Sequence, residues 1–300
     1  MLAVESVPNP TPDTFRFERG LRPDAPGLSK AHNAPRPGPG GPSLSSAVGA
    51  SYSRLAFGAG PGRTGGGGPR GEVTEFSKAS RRRLLRLLNS INRDESSLPF
   101  FVTLTYHKAW PKDRHGRKAH LDAFRKRLER HYGAFAAVWR LEFQRRGAPH
   151  YHLLVWLPVV SASAGIGTLR ERVAWHWNAV ADPENVQHWQ AGTSVEVPRS
   201  WRGVNSYAAK YMGKLEQLQE GASSVGRFWG VWRRGMLPIT YPTHSLTPDT
   251  AIRIRRIFRN FSKVRQRSHR GELYGVSCFV GYATTNRLLS WLGIIGSDLV

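Results

Sequence analysis

The chain has 300 residues, 40% of them hydrophobic, enough to bury a core in one or two domains. Lys and Arg outnumber Asp and Glu by 44 to 21, a formal charge of +23 that points to a polyanionic partner; 10 Trp, 13 Phe and 9 Tyr among the basic residues fit nucleic acid better than a membrane surface. The single cysteine, Cys278, excludes internal disulfides and zinc fingers; residues 1–10 lack the pattern of a signal peptide, and no apolar run is long enough to span a bilayer.

Residues 1–72 are dominated by Pro, Gly, Ser and Ala and end in Gly65-Gly66-Gly67-Gly68, so a disordered tail is expected there. Thr74 to Asn89 reads as a basic helix with leucines on one side and arginines on the other, a pattern that equally suits a solvated face. Pro99 to Tyr106 alternates Phe101, Thr103 and Thr105 against Val102, Leu104 and Tyr106, as a strand does. A helix follows over His120 to His131, with Leu121, Phe124 and Leu128 as its apolar stripe.

Phe135 to Gln144 is a second strand, and Arg145-Arg146-Gly147-Ala148-Pro149 returns it as a hairpin into His150-Tyr151-His152-Leu153-Leu154-Val155-Trp156. Side chains alternate along a strand, so His150 and His152 share a face while Tyr151 points away from them. On the first arm Arg140, Glu142 and Gln144 share a face, which lets Glu142 stand beside the histidines. Such a pair could be a metal site or merely a hydrogen-bonded pair, and it needs partners from elsewhere.

Leu169 to Val180 reads as a Trp-rich helix, Ser194 to Val197 as a short strand, Trp201 to Gln219 as a helix and Asp249 to Arg265 as another. On helix 201–219, Tyr207, Lys210, Tyr211 and Lys214 fall within an arc of roughly 100°. Hairpins outnumber βαβ units, so an α+β fold around a largely antiparallel sheet flanked by helices is expected. Gly226 to Arg234 is aromatic and basic, suited to a Trp-anchored strand or to base stacking, and Arg253, Arg255, Arg256 and Arg259 could track phosphates; His176 and His188 have no partners at ligand spacing.

A Glu and two His offer one oxygen and two nitrogens, a donor set suited to Mg²⁺ or Mn²⁺ with open positions. Three segments in order resemble the motifs of the HUH rolling-circle replication initiators, the Rep endonucleases of phages, plasmids and small circular DNA viruses. They are Phe101-Val102-Thr103-Leu104-Thr105-Tyr106, Pro149-His150-Tyr151-His152-Leu153-Leu154-Val155 and Tyr207-Ala208-Ala209-Lys210-Tyr211. The third fits either YxxK or the two-tyrosine YxxxY form; Val204 to Lys210 fits VxxYxxK and favours Tyr207, while Tyr211-Met212-Gly213-Lys214 is itself YxxK.

The resemblance covers roughly residues 98–240. It implies a ferredoxin-like domain (residues 73–270, with 271–300 as an extension), a metal held by Glu142, His150 and His152, and nicking of a single-stranded origin. Tyr207 or Tyr211 would be the nucleophile, with Lys210 and Lys214 assisting, leaving a 5′-phosphotyrosine and a free 3′ hydroxyl. Arg140, Arg145, Arg146, Trp229, Arg233 and Arg234 are the candidate DNA contacts. No GxxxxGK[ST] occurs, so a host helicase and polymerase are the implied partners, in the cytoplasm of a bacterial host without membrane attachment; oligomeric state is open. The rivals are a transposase of the same superfamily and a noncatalytic nucleic-acid-binding protein.

Overall fold

The computed structural model describes residues 41–47, 50–57, 72–158, 166–214, 216–217, 225–239, 243–264, 275–279 and 282–293; the expectations for residues 1–40 and the glycine run lie outside them. In chain order the strands are β1 Ser43–Ser46, β2 Tyr52–Ala56, β3 Glu75–Phe76, β4 Phe100–Thr105, β5 Ala136–Phe143, β6 Pro149–Trp156, β7 Thr193–Glu196, β8 Glu216–Gln217, β9 Trp229–Trp232, β10 Thr243–Ser245 and β11 Gly275–Phe279.

Five of them form the central sheet in the order β7-β4-β6-β5-β9, each neighbouring pair antiparallel. Helix Arg114–Tyr132 joins β4 to β5, and helix Ile166–Ala181 lies between β6 and β7. The chain therefore runs β-α-β-β-α-β, the ferredoxin-like order, with β9 added beside β5. This is the expected α+β class with a largely antiparallel sheet. The helix expected from His120 starts earlier, at Arg114, because the Asp113 carboxylate accepts from the backbone N–H groups of His115 and Gly116 at 2.8 and 2.9 Å and caps the first turn.

Strand alternation divides the central sheet into two faces. On one, Tyr151 is buried against Trp177, whose ring also meets Tyr106 and Phe124 edge-on at 5.0 and 5.8 Å. On the other lie the histidines, covered by helix Trp201–Tyr207 and by Phe76 and Phe228. Among the described residues no helix is long and apolar enough to cross a membrane.

A second sheet, in the order β10-β1-β2-β11, corrects the expectation of a disordered tail to residue 72 and of a separate extension from residue 271. Ser43–Ser46 and Tyr52–Ala56 pair as a hairpin, β11 pairs with β2, and Leu44, Leu55 and Phe57 pack with Ile254 and Phe258 of helix Pro248–Val264 and with Leu288 and Leu289. The reason the sequence hides this sheet is that its short strands carry few apolar residues each. Their partners are some 200 residues away, so no local period reveals them (Leu44 faces His244). Leu55→Ala should lower the unfolding free energy by about 2–5 kcal/mol in urea titration; a solvated segment would change it by less than about 0.5 kcal/mol.

His188 is structural: its Nδ1 meets Asn178 Oδ1 at 2.8 Å and its Nε2 donates to the Thr105 carbonyl at 2.9 Å. His176 is also buried, with neither ring nitrogen hydrogen-bonded among the described residues, and burial followed by the charges of His131, Arg127, Arg172 and Arg130 pushes it down to about 4. The unfolded chain takes up this proton near 6.5 and the folded chain only near 4, so His176's contribution to stability is complete above 6.5 and falls as pH drops toward 4. Replacing His176 by Leu should flatten the pH dependence of the urea midpoint across that window, and an unchanged slope would assign the loss to other groups.

Candidate active site

The site begins with the register of one hairpin. Gly147, at φ 79°, closes the turn in a left-handed conformation that costs glycine little, and this sets Glu142 opposite His150 and Arg140 opposite His152. On the other side of β6, β4 places Thr105 opposite His150 and Thr103 opposite His152. Glu142, both histidines and both threonines therefore share one face, as period-two alternation requires.

Hydrogen bonds then fix the rings. His152 Nε2 lies 3.1 Å from Glu142 Oε2, and a carboxylate only accepts, so Nε2 carries the proton. In the neutral ring Nδ1 is left to accept from the Tyr207 hydroxyl, 3.2 Å away. The other oxygen of Glu142 receives the ammonium of Lys214. These bonds, that of His152 first, hold the Glu142 carboxyl down at about 2 against the effect of its burial. His150 Nδ1 meets Thr105 Oγ1 at 2.9 Å, and burial together with the neighbouring His152 pushes His150 down to about 4.

The tyrosines come from Trp201–Tyr207, a helix capped by the Ser200 hydroxyl, which passes directly into a π turn over Ala208–Met212. Gly213 N–H bonds back to the Ala208 carbonyl, five residues earlier, and Arg81 Nε donates to the Gly213 carbonyl. The helix expected to reach Gln219 therefore ends at Gly213, and Lys214 is not on its ridge; it leaves the helix, and its ammonium meets Glu142. π turns concentrate at functional sites. This one brings the rings of Tyr207 and Tyr211 to 4.8 Å, with Tyr211 stacked on His152 at 4.8 Å.

The two tyrosines occupy different surroundings. Tyr207 is 8% exposed, stacked on Phe101 at 4.0 Å, and burial pushes its phenol up to about 12, partly offset by a hydrogen bond from Thr103. Tyr211 is partly exposed, and the ammonium of Lys210 stands 4.6 Å above its ring.

The candidate DNA contacts scatter. Arg140 is on the histidine face but 1% exposed, its guanidinium donating to the carbonyls of Phe228 and Lys214 and lying over the rings of Phe76 and Phe228, so it is an internal cation and offers nothing to DNA. Trp229 is in β9, with its indole N–H on Ser80 Oγ at 2.9 Å, a strand anchor. Arg233 is held by Glu129 at 2.8 Å, and Arg146 bonds the carbonyls of Tyr106 and His107; Arg145 and Arg234 are exposed. Arg253, Arg256 and Arg259 are exposed on their helix, while Arg255 is half-buried against Phe57. Sequence reasoning missed Thr103, Thr105 and Phe101 as parts of the site, although their alternation in β4 was visible, and Arg81, which no local pattern marks.

The donor chemistry of Glu142, His150 and His152 suits a divalent ion. Among the described residues, however, no three His, Cys, Asp or Glu side chains are arranged to hold one as they stand, because the carboxylate of Glu142 is taken up by His152 and Lys214. An ion here would replace Lys214 as the charge that balances Glu142.

Residues 99–216 match a family of replication-associated proteins, the ORF2 type. A protein of Xylella fastidiosa (strain 9a5c), named as a candidate replication protein, is 29% identical over 182 residues, covering 57% of this chain and 60% of the relative. The match thus spans less than two thirds of that relative's length. No solved structure matches the chain. These similarities support a role in replication, and the matched span runs from just before β4 to just past the π turn, enclosing every side chain of the site except Arg81.

Tyr207→Phe removes a hydroxyl that bridges Thr103 and His152. The expected cost is about 1 kcal/mol in urea unfolding, and an unchanged midpoint would show that the bridge adds nothing to stability.

Proposed function

We propose that this chain initiates rolling-circle replication by nicking single-stranded origin DNA with a tyrosine, and that Tyr211 makes the first attack. The observation that carries the reading is the stack of Tyr211 on His152, beside a carboxylate and two lysines, on the histidine face of a ferredoxin-like sheet.

A phenol ionises near 10, so attack at neutral pH needs charge close by. Tyr211 is partly exposed and has the Lys210 ammonium over its ring, which favours the phenolate once water has taken the proton. The phenolate oxygen forms a bond to phosphorus and the bond from phosphorus to O3′ breaks. O3′ leaves with the electron pair, takes a proton from water, and the 5′ phosphate stays on the tyrosine. Lys210 and Lys214 offset the charge that builds on the phosphate. Mg²⁺ or Mn²⁺ held by Glu142, His150 and His152 would supply further positive charge to a phosphate oxygen.

In this reading Tyr207 is a positioning residue. Its hydroxyl holds His152 at Nδ1, on the opposite side of the ring from the nitrogen that faces Glu142, as Thr105 holds His150. Rejoining runs the same step backwards, with a 3′ hydroxyl attacking the phosphotyrosine and the phenol released. Strand separation and extension fall to a helicase and a polymerase of the host.

With Mn²⁺ and a labelled single-stranded oligonucleotide from its own replicon's origin, the protein is expected to form a covalent adduct at the 5′ fragment, abolished by EDTA. Tyr211→Phe should give no adduct, whereas Tyr207→Phe should keep it at a reduced rate with a raised metal requirement. The converse pattern would exchange the two roles, and tight binding by the wild type with no adduct would make the chain a binding protein.

A further inference from the structure

On the face of the central sheet opposite the histidines lies a cavity of about 410 Å³, within the range of about 300–1,000 Å³ typical of small-molecule sites. Trp139 and Tyr151 form part of its floor, and Arg114, Arg117, Lys118 and Arg227 stand round it. Among the described residues that line it there is no carboxylate side chain. The nearby Asp113 carboxylate is committed to capping the helix, on the backbone N–H groups of His115 and Gly116. Three of the four cationic residues come from the first turns of the 19-residue helix Arg114–Tyr132, whose dipole adds positive potential at that end.

Arg117 gives this cluster a direction. It is 5% exposed, its Nη1 donates to the Lys112 carbonyl, and its buried Nη2 has no hydrogen-bond partner among the described residues. Burying an unpaired N–H of a guanidinium is costly, and no described neighbour offsets it. An anion in the cavity would. Neither His150, His152, Tyr207 nor Tyr211 lines this space.

We infer that this cavity binds the phosphate of a nucleotide, with the aromatic floor against its sugar or base. The choice of a nucleotide over another anion rests on the proposed work on DNA. The two sources of that chemistry are a nucleotide within a single strand and a free one.

Fluorescence anisotropy of the full chain with a labelled short single-stranded oligonucleotide, in EDTA, reads binding without nicking. Lys118→Glu with Arg227→Glu is expected to weaken binding about tenfold or more, and Arg253→Glu with Arg256→Glu, an equal change of charge, by less than about threefold. Equal losses from the two pairs overturn the site, because overall charge then accounts for the binding. Arg117→Met should weaken binding while leaving Tm unchanged or raised, as removal of an uncompensated buried cation does; a lower Tm with unchanged binding makes Arg117 structural and overturns the site. A deoxynucleoside monophosphate that displaces the strand assigns the cavity to free nucleotides as well, and failure to displace it assigns the cavity to the strand. The nicking reading fails on the adduct assay alone and this site on the EDTA titration alone, so the two failures are distinguishable.

Discussion

The pairing register of β5 with β6 is the constraint on which the rest of the site depends. A strand's side chains alternate, so a slip of one residue would turn Glu142 to the opposite face and bring Arg140 or Trp139 into the wrong layer. Two things pin the register. The tight turn at Gly147 fixes the loop length, and Tyr151, 2% exposed among Trp139, Trp177 and the Arg117 carbonyl, has no alternative place for its ring. The residue between the histidines thus acts by packing, and its burial keeps the two imidazoles on the other side.

From that register a chain of polar contacts runs Lys214–Glu142–His152–Tyr207–Thr103, most of it shielded from water. Each member has a donor or acceptor that only its neighbour can satisfy, and in a low-dielectric setting an unpaired member is costly. The chain explains why Tyr207 is a poor candidate for attack and a good candidate for orientation. A hydroxyl already engaged on both sides, with its phenol pushed up to about 12, must give up two partners before it reaches a phosphate. Tyr211, four residues later, reaches the same histidine by its ring face and keeps an edge toward solvent.

Much of this was legible in the sequence, for a physical reason. β4, β5, β6 and the helices beside them bury one face and expose or functionalise the other, so their periods of two and about 3.6 survive in the residue order. The strands at Ser43–Ser46 and Tyr52–Ala56 were not legible, since a strand of four or five residues with one or two apolar anchors carries no period worth reading, and its partners enter from residues 243–245 and 275–279. Nor was the end of the tyrosine helix. Gly213 and the bond from Arg81 stop it, and Arg81 is 132 residues away in the chain.

Arg140 shows how a correct face assignment can still give a wrong role. Alternation puts it beside Glu142, where an exposed arginine would suit a phosphate, yet the segments at 214 and 228 and the ring of Phe76 close over it. A guanidinium so placed must find its stabilisation inside, and it does so from two aromatic faces and two carbonyls. One of those carbonyls belongs to Lys214, whose ammonium reaches Glu142. The buried arginine therefore ties down the backbone of the residue that neutralises the site's carboxylate. The positive charge of this chain thus has two uses. Exposed residues such as Arg145 and Arg234 can serve a polyanion at the surface, while Arg140 holds the geometry that any chemistry on the histidine face requires.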